Sequence, residues 1–269
     1  MKRSIATVTM SGTLKEKLNA ASSAGFAGIE LMESDIAGHK PREIAAMISD
    51  FGLEIDVLQP FRNFEGVSSE QHMANLERAR RAFDLMAELG TSLMLVCSNT
   101  SDVAICDDNL SSDQLAEIAD IAADRSLKIG FEALSWGTCI STYDHAYKVV
   151  RTANHKGLGI VLDSFHTLAL QDPLLDIPSI DPGQLFYVQI ADAPMLSLPL
   201  IDWSRHHRRL PGNGDMDVGA FLRSVTQTGY NGTISLEIFS DELKGRPALE
   251  VAREGMDSLK KLEADISTR

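Results

Sequence analysis

The chain has 269 residues, of which 44% are hydrophobic and 23% are charged, as in an ordinary globular protein with a sizeable core. Its formal net charge of −13 at pH 7 argues against a nucleic-acid partner, because phosphate backbones are bound by basic surfaces. A small anionic substrate stays compatible with this charge, since a few local arginines outweigh the overall field at one site.

Strand-like apolar segments alternate with helical segments along the whole chain. In the first unit, SIATVTM (4–10) precedes LKEKLNAASSAG, where Leu14, Leu18 and Ala21 recur at helical spacing and Gly25 ends the helix. Further strands are predicted at 28–34, 53–60, 92–99, 128–134, 159–165, 185–191 and 233–239. Each precedes a helical segment, except that a looser, proline-containing stretch follows the sixth. Eight such units predict an α/β protein with a single (β/α)8 barrel domain over residues 1–269.

Four predicted strands finish on oxygen-bearing side chains: Glu132 in KIGFEAL, Asp163 in GIVLDSF, Gln189 in LFYVQIA and Glu237 in TISLEIF. In such barrels the carboxyl ends of the strands form the active site, so we expect the four side chains to converge at one mouth. Taken singly, each acid is as well explained by an ion pair at the rim. Together, three carboxylates and an amide oxygen form a hard ligand set that suits Mg²⁺ or Mn²⁺.

A histidine and several arginines follow these strands. His166, three residues after Asp163, is a candidate general base because its ordinary pKa is close to neutral, although a packing role is the alternative. Arg62 follows the third strand, and SRHHRRLPGNGD after the seventh carries Arg205 and His206. We interpret these residues, together with Arg208 and Arg209 of the same loop, as a local site for a carboxylate or phosphate; for Arg208 or Arg209 individually, a solvated charge run is the alternative.

Two aromatic residues and the cysteines complete the candidates. Phe61 and Trp136 are predicted to form pocket walls. The odd number of cysteines, Cys97, Cys106 and Cys139, with no CxxC pair, favours free thiols in a reducing cytoplasm. The first residues lack the apolar core of a signal peptide, and no stretch is long enough for a membrane span, so we expect a cytoplasmic protein without membrane contact.

Several motifs together resemble bacterial 3-dehydroshikimate dehydratases of the sugar phosphate isomerase/epimerase superfamily, which have a xylose isomerase-like barrel. They span nearly the whole chain and include LQPFRNFEG, FEALSWG, LDSFH, VQIADAP, WSRHHRRLPGNGD and SLEIFSDE. The resemblance implies a divalent ion, Mg²⁺ or Mn²⁺ with Co²⁺ as an alternative, bound by Glu132, Asp163, Gln189 and Glu237. Gln189 favours the dehydratases, since sugar epimerases of the superfamily commonly have histidine at that position.

The implied reaction is a hydro-lyase step that converts 3-dehydroshikimate to protocatechuate and water, with catalytic roles for His166, Glu132 and Glu237. The resemblance also implies a small carboxylate substrate that is held by arginines such as Arg62 and Arg205. The reaction would serve quinate and shikimate catabolism or a biosynthetic route. Some members carry a dioxygenase-like domain after the barrel, and we expect none within these 269 residues. Two alternative functions stay open: a metal-dependent sugar isomerase or epimerase, and a non-catalytic binding barrel. A homo-oligomer is also compatible with the sequence.

Overall fold

Eight parallel strands close into a barrel in chain order in the computed structural model, which describes residues 1–267. The strands are β1 (Lys2–Ala6), β2 (Gly28–Met32), β3 (Glu54–Phe61), β4 (Leu93–Cys97), β5 (Lys128–Glu132), β6 (Leu158–Asp163), β7 (Leu185–Ile190) and β8 (Thr233–Leu236). The first and last strands pair directly, with Ser4 opposite Ser235, which completes the barrel. The predicted (β/α)8 fold is therefore confirmed.

Helices connect the strands around the outside of the barrel. They are α1 (Leu14–Ala24), α2 (Glu33–Ile36), α3 (Pro41–Asp50), α4 (Ser69–Leu89), α5 (Asp108–Ala123), α6 (Tyr143–Ala153), α7 (Ser164–Ala169), α8 (Leu200–His206), α9 (Val218–Gln227), α10 (Asp241–Lys244) and α11 (Ala248–Ser267). Short 3-10 turns lie at Thr7–Thr9 and Leu174–Ser179. No helix within residues 1–267 is long and apolar enough to cross a membrane.

The hydrophobic pattern explains why these segments form buried strands. Every residue of β4 and of β6 is buried, as expected for a parallel sheet that is covered on both faces. Helix α1 begins at a capping box between Thr13 and Glu16, and it ends at Gly25, whose φ of +88° is left-handed. Local sequence signals and tertiary burial thus agree on the same architecture.

Strand ends differ from the predicted ones for local reasons. The first strand stops at Ala6 because Thr7–Thr9 turns into a 3-10 helix. The sixth stops at Asp163, whose carboxylate accepts the Phe165 N–H at 2.6 Å and so caps helix α7. The eighth stops one residue before Glu237. The side chains at these ends nevertheless stay at the carboxyl mouth of the barrel.

The expectation of free thiols was wrong for two of the three cysteines. Cys106 and Cys139 form a disulfide, 33 residues apart in sequence and with Cα atoms 5.2 Å apart, while Cys97 is a buried free thiol. The pair has no short motif because its members lie on separate loops, one after β4 and the other after β5. These loops meet only because the two strands are neighbours in the barrel.

Candidate active site

Carboxylates are concentrated at the mouth of the barrel and are almost completely buried. Glu132 ends β5, Asp163 ends β6, Glu237 directly follows β8, and Glu30 lies on β2; each is at most 5% exposed. Gln189, on β7, is fully buried beside them. Sequence reasoning missed Glu30, which lies within a strand rather than at its end. The buried strand context GIELM was the available signal, because an unpaired acid is costly in such a strand.

Arg208 lies among these acids. Its Nη1 is 2.7 Å from Asp163 Oδ2 and 3.0 Å from Glu237 Oε2, and its Nη2 donates to Ser204 Oγ at 2.9 Å. The side chain is 1% exposed, which excludes the alternative of a solvated charge run for Arg208. Burial lowers the pKa of Arg208, but the attraction of Asp163 and Glu237 outweighs it and leaves the pKa above its ordinary value. Arg208 is therefore a charged, structural part of the site.

Backbone pairing holds the segment that carries Arg208 against the barrel. Asp192, just after β7, and Arg209 exchange two backbone hydrogen bonds of 2.9 and 2.6 Å, and the Arg208 N–H donates to the Phe239 carbonyl at 3.1 Å. The Asp192 carboxylate also accepts the N–H groups of Gly212, Gly214 and Met216, each at 3.0 Å. PGNGD is thus a turn folded around one buried carboxylate. A Cβ on Gly214 would lie 2.3 Å from Asp192 Oδ1, which explains the glycine.

His166 faces the same cluster from α7. Its Nε2 is 3.8 Å from both Glu132 Oε1 and Asp163 Oδ2, and 3.2 Å from Arg208 Nη2. Because a guanidinium only donates, we assign the lone pair to Nε2 and the proton to Nδ1, which lies 3.0 Å from Ser135 Oγ. The Ser135 backbone N–H, 3.2 Å from Nδ1, favours the opposite tautomer, but the charged donor is the stronger partner.

The electrostatic environment keeps His166 neutral. Burial lowers its pKa to about 3, with an opposing effect from Asp163 and further lowering by Arg208 and Arg205. Trp136 packs edge-on at 5.0 Å between ring centroids. The neutral imidazole keeps a lone pair on Nε2 that can accept a proton, although its lowered pKa makes it a weaker base than an ordinary histidine.

A small cavity opens from this cluster. Its walls include Arg62, Arg205 and Trp136, three of the residues predicted to contact substrate, with Arg205 stacked at 4.7 Å over Phe239. Cys97 also lies in the wall, and burial raises the pKa of its thiol well above the ordinary value, which favours a packing role over a nucleophilic one. The lining thus combines three guanidinium groups, counting Arg208, with carboxylates and apolar surface.

Two other predicted substrate contacts lie elsewhere. Phe61 lines a larger neighbouring cavity, where the Arg78 guanidinium carbon lies 4.3 Å from its ring centre. His206 is on the surface, and its Nδ1 is 2.8 Å from Asp241 Oδ2. The structure does not bring either side chain into the smaller cavity, although Arg62 borders both cavities.

The donor atoms are suited to a divalent cation. Ligand atoms of Glu132, Asp163 and His166 lie within 4.8 Å of one another. Among the described residues of this cluster, the Oε1 atoms of Glu30, Glu132 and Gln189 are buried without a hydrogen-bond partner. Burial, followed by repulsion from Glu237 and Asp163, raises the pKa of Glu132 well above its ordinary value. A cation among these oxygens would relieve both the missing partners and the repulsion.

Replacing Arg208 by Met tests its role in neutralising the carboxylates. We expect the free energy of unfolding to fall by about 3–5 kcal/mol at pH 7 in the presence of a chelator, because Asp163 and Glu237 lose their buried counter-ion. Denaturant titration followed by circular dichroism measures the change.

Arg209→Met is the matched control, because Arg209 is partly exposed and pairs with Glu242 at the surface. We expect a loss of about 1 kcal/mol or less for this variant. Equal losses for the two variants would contradict the special role of Arg208.

Comparisons with known proteins agree with this architecture. The chain is 46% identical over its whole length to the 3-dehydroshikimate dehydratase of Pseudomonas putida, and 47% identical over 98% of its length to that of Pseudomonas aeruginosa. It spans 43% and 42% of these relatives, less than half of their length. A relative of the same name from Neurospora crassa is 26% identical, over 94% of this chain and 90% of its own length.

Solved structures and a family model give the same fold. A xylose isomerase-like TIM barrel/4-hydroxyphenylpyruvate dioxygenase fusion protein superposes with a TM-score of 0.96 at 46% identity, over 99% of this chain and 43% of the other. The zinc-binding IOLI protein shares the fold, with a TM-score of 0.89 at 22% identity, over 100% of this chain and 99% of the other. The model of the xylose isomerase-like TIM barrel matches residues 18–262. The chain therefore belongs to the xylose isomerase-like TIM barrel family.

Proposed function

We propose that this chain is a metal-dependent 3-dehydroshikimate dehydratase, which converts 3-dehydroshikimate to protocatechuate and water. The observation that carries the proposal is the neutral His166, whose Nε2 lies 3.8 Å from the oxygens of two buried carboxylates. The identity of 46–47% to two Pseudomonas proteins of that name supports the same substrate. Because the chain spans less than half of those relatives, the activity is proposed for the barrel by itself.

The ligands assigned to the cation are Glu132, Asp163, Gln189 and Glu237. The unpartnered oxygens of Glu132 and Gln189 support this assignment, and an all-oxygen set favours Mg²⁺ or Mn²⁺ over Co²⁺. When bound, such an ion polarises the substrate ketone and stabilises the negative charge that develops on its oxygen. His166 is then left free for proton transfer rather than serving as a ligand.

The residues of the chain carry out the proton transfer and hold the substrate. His166 Nε2 takes the proton from the carbon next to the ketone, and the imidazolium so formed returns a proton to the hydroxyl on the following carbon, which leaves as water. Loss of this water and a final tautomerisation give the aromatic ring. Ser135 at Nδ1 and Trp136 against the imidazole keep Nε2 directed into the cavity.

The substrate carboxylate is assigned to Arg62 and Arg205. Both guanidinium groups line the cavity, on its β3 side and its α8 side, and fork-shaped donors match a carboxylate. Arg208 is less suited to this role, because Asp163, Glu237 and Ser204 already accept its hydrogen bonds. We therefore assign a small carboxylate as the substrate of a cytoplasmic protein, with no nucleic-acid or membrane partner. Phe61 and His206 remain candidates for substrate contacts outside the smaller cavity.

A sugar isomerase or epimerase is the second candidate function. The observation that favours it is the pair Glu132 and Glu237, which come from β5 and β8 and both border the cavity, as two proton-transfer groups on a ketose would. The glutamine at position 189 and the arginine pair favour the dehydratase.

An ultraviolet assay with 3-dehydroshikimate tests the proposed function. We expect an aromatic absorbance band to appear with Mg²⁺ or Mn²⁺ and to be abolished by a chelator, because the ketone is then no longer polarised. Glu132→Gln, which removes one anionic ligand, is expected to require a higher metal concentration. Absence of the band, together with turnover of a ketose panel, would favour the isomerase instead.

Replacing His166 by Gln tests the assignment of the general base. We expect kcat to fall about 10²–10⁴-fold, the usual contribution of a positioned base, while the Mn²⁺ affinity measured by calorimetry changes little. His155→Gln is the matched control, because His155 pairs with Asp120 away from the cavity. If His166→Gln kept kcat near the wild-type value, or lost Mn²⁺ binding, His166 would not be the base.

A further inference from the structure

Glu30 links three elements beneath the mouth of the barrel. Its Oε2 accepts a hydrogen bond from Gln59 Nε2 at 2.6 Å and another from Gln189 Nε2 at 2.8 Å. The same Gln59 nitrogen lies 3.0 Å from Glu237 Oε1. All four side chains are at most 5% exposed, so water does not compete for these hydrogen bonds. The network joins β2 and β3 to β7 and to the residue that follows β8.

The hydrogen bond from Gln189 to Glu30 decides which amide atom of Gln189 is available. Its nitrogen is engaged by Glu30, and its Oε1 has no partner among the described residues. With Glu30 ionised, the opposite rotamer of the amide would place two acceptor oxygens 2.8 Å apart, where they repel each other. A metal cation binds the carbonyl oxygen of glutamine and not its NH₂ group.

We propose that Glu30 is a positioning residue for the cation site. It holds the Gln189 amide with its oxygen free for the ion, and through Gln59 it also restrains the Glu237 carboxylate. Glu30 acts through these side chains and does not itself contact the substrate. The proposal rests on the metal site of the proposed function, but it makes a claim about metal affinity that is independent of the reaction catalysed.

A double-mutant cycle separates this role from a general effect of charge or packing. The variants are Glu30→Met, which removes the acceptor, Gln189→Met, which removes the ligand, and the combination of both. Calorimetry with Mn²⁺ alone gives the dissociation constants, and circular dichroism checks the fold. We expect Glu30→Met to weaken Mn²⁺ binding about 10–100-fold, as is typical when the partner of a metal ligand is lost.

The decisive comparison is the effect of Glu30→Met when Gln189 is already Met. We expect this effect to shrink to about threefold or less, because nothing is left for Glu30 to orient except Gln59. An equal loss in both backgrounds would overturn the proposal, since a charge or packing effect does not require Gln189. Glu65→Gln is the control for altering a buried acid, because Glu65 is 2% exposed and bonds to Asn99 instead of the cluster.

Glu30→Gln keeps the result decisive if Glu30→Met does not fold. Its side-chain oxygen accepts the same two hydrogen bonds, so we expect Mn²⁺ affinity within about threefold of wild type. A loss of tenfold or more that persists with Met at position 189 would overturn the proposal. Wild-type protein that binds no Mn²⁺ would also overturn it, whatever the ultraviolet assay shows. Mn²⁺ binding without dehydratase activity would contradict the proposed function alone.

Discussion

Burial of several carboxylates at one end of the barrel is the constraint on which the rest of the site depends. Glu30, Glu132, Asp163 and Glu237 are all withdrawn from water, and an unneutralised acid is costly in such surroundings. Arg208 supplies one positive charge to Asp163 and Glu237. Oxygens of Glu132 and Gln189 still lack partners within residues 1–267. The negative charge of the buried carboxylates is therefore only partly neutralised, and this is the physical reason for proposing a divalent cation.

The barrel meets this constraint by combining rigid strands with one tightly held loop. The strands bring the oxygens to one mouth, and the loop after β7 inserts Arg208 between them. Asp192 holds that loop through its carboxylate and through backbone pairing with Arg209. His166 enters from a helix that Asp163 itself caps, so one carboxylate contributes to both the charge cluster and the placement of the imidazole. The same few residues thus determine structure and chemistry together.

The periodic pattern of the sequence was sufficient to predict the barrel and the order of its strands. Most strands have a continuous buried apolar segment, so local signals and tertiary packing agree. The pattern was insufficient for Arg208, because a charged residue in a loop gives no local sign that it will be buried against acids from two distant strands. Glu30 and the Cys106–Cys139 disulfide were missed for the same reason, since their partners lie on other strands or loops. The ligand assignment for the cation is still a prediction.

The most direct test is a crystal structure of the protein grown with Mn²⁺, with the ion located by its anomalous scattering. We expect one ion with oxygen ligands from Glu132, Asp163, Gln189 and Glu237 at about 2.1 Å, while His166 Nε2 stays uncoordinated. An ion bound instead through His166, or no ion at this mouth of the barrel, would contradict the central claim.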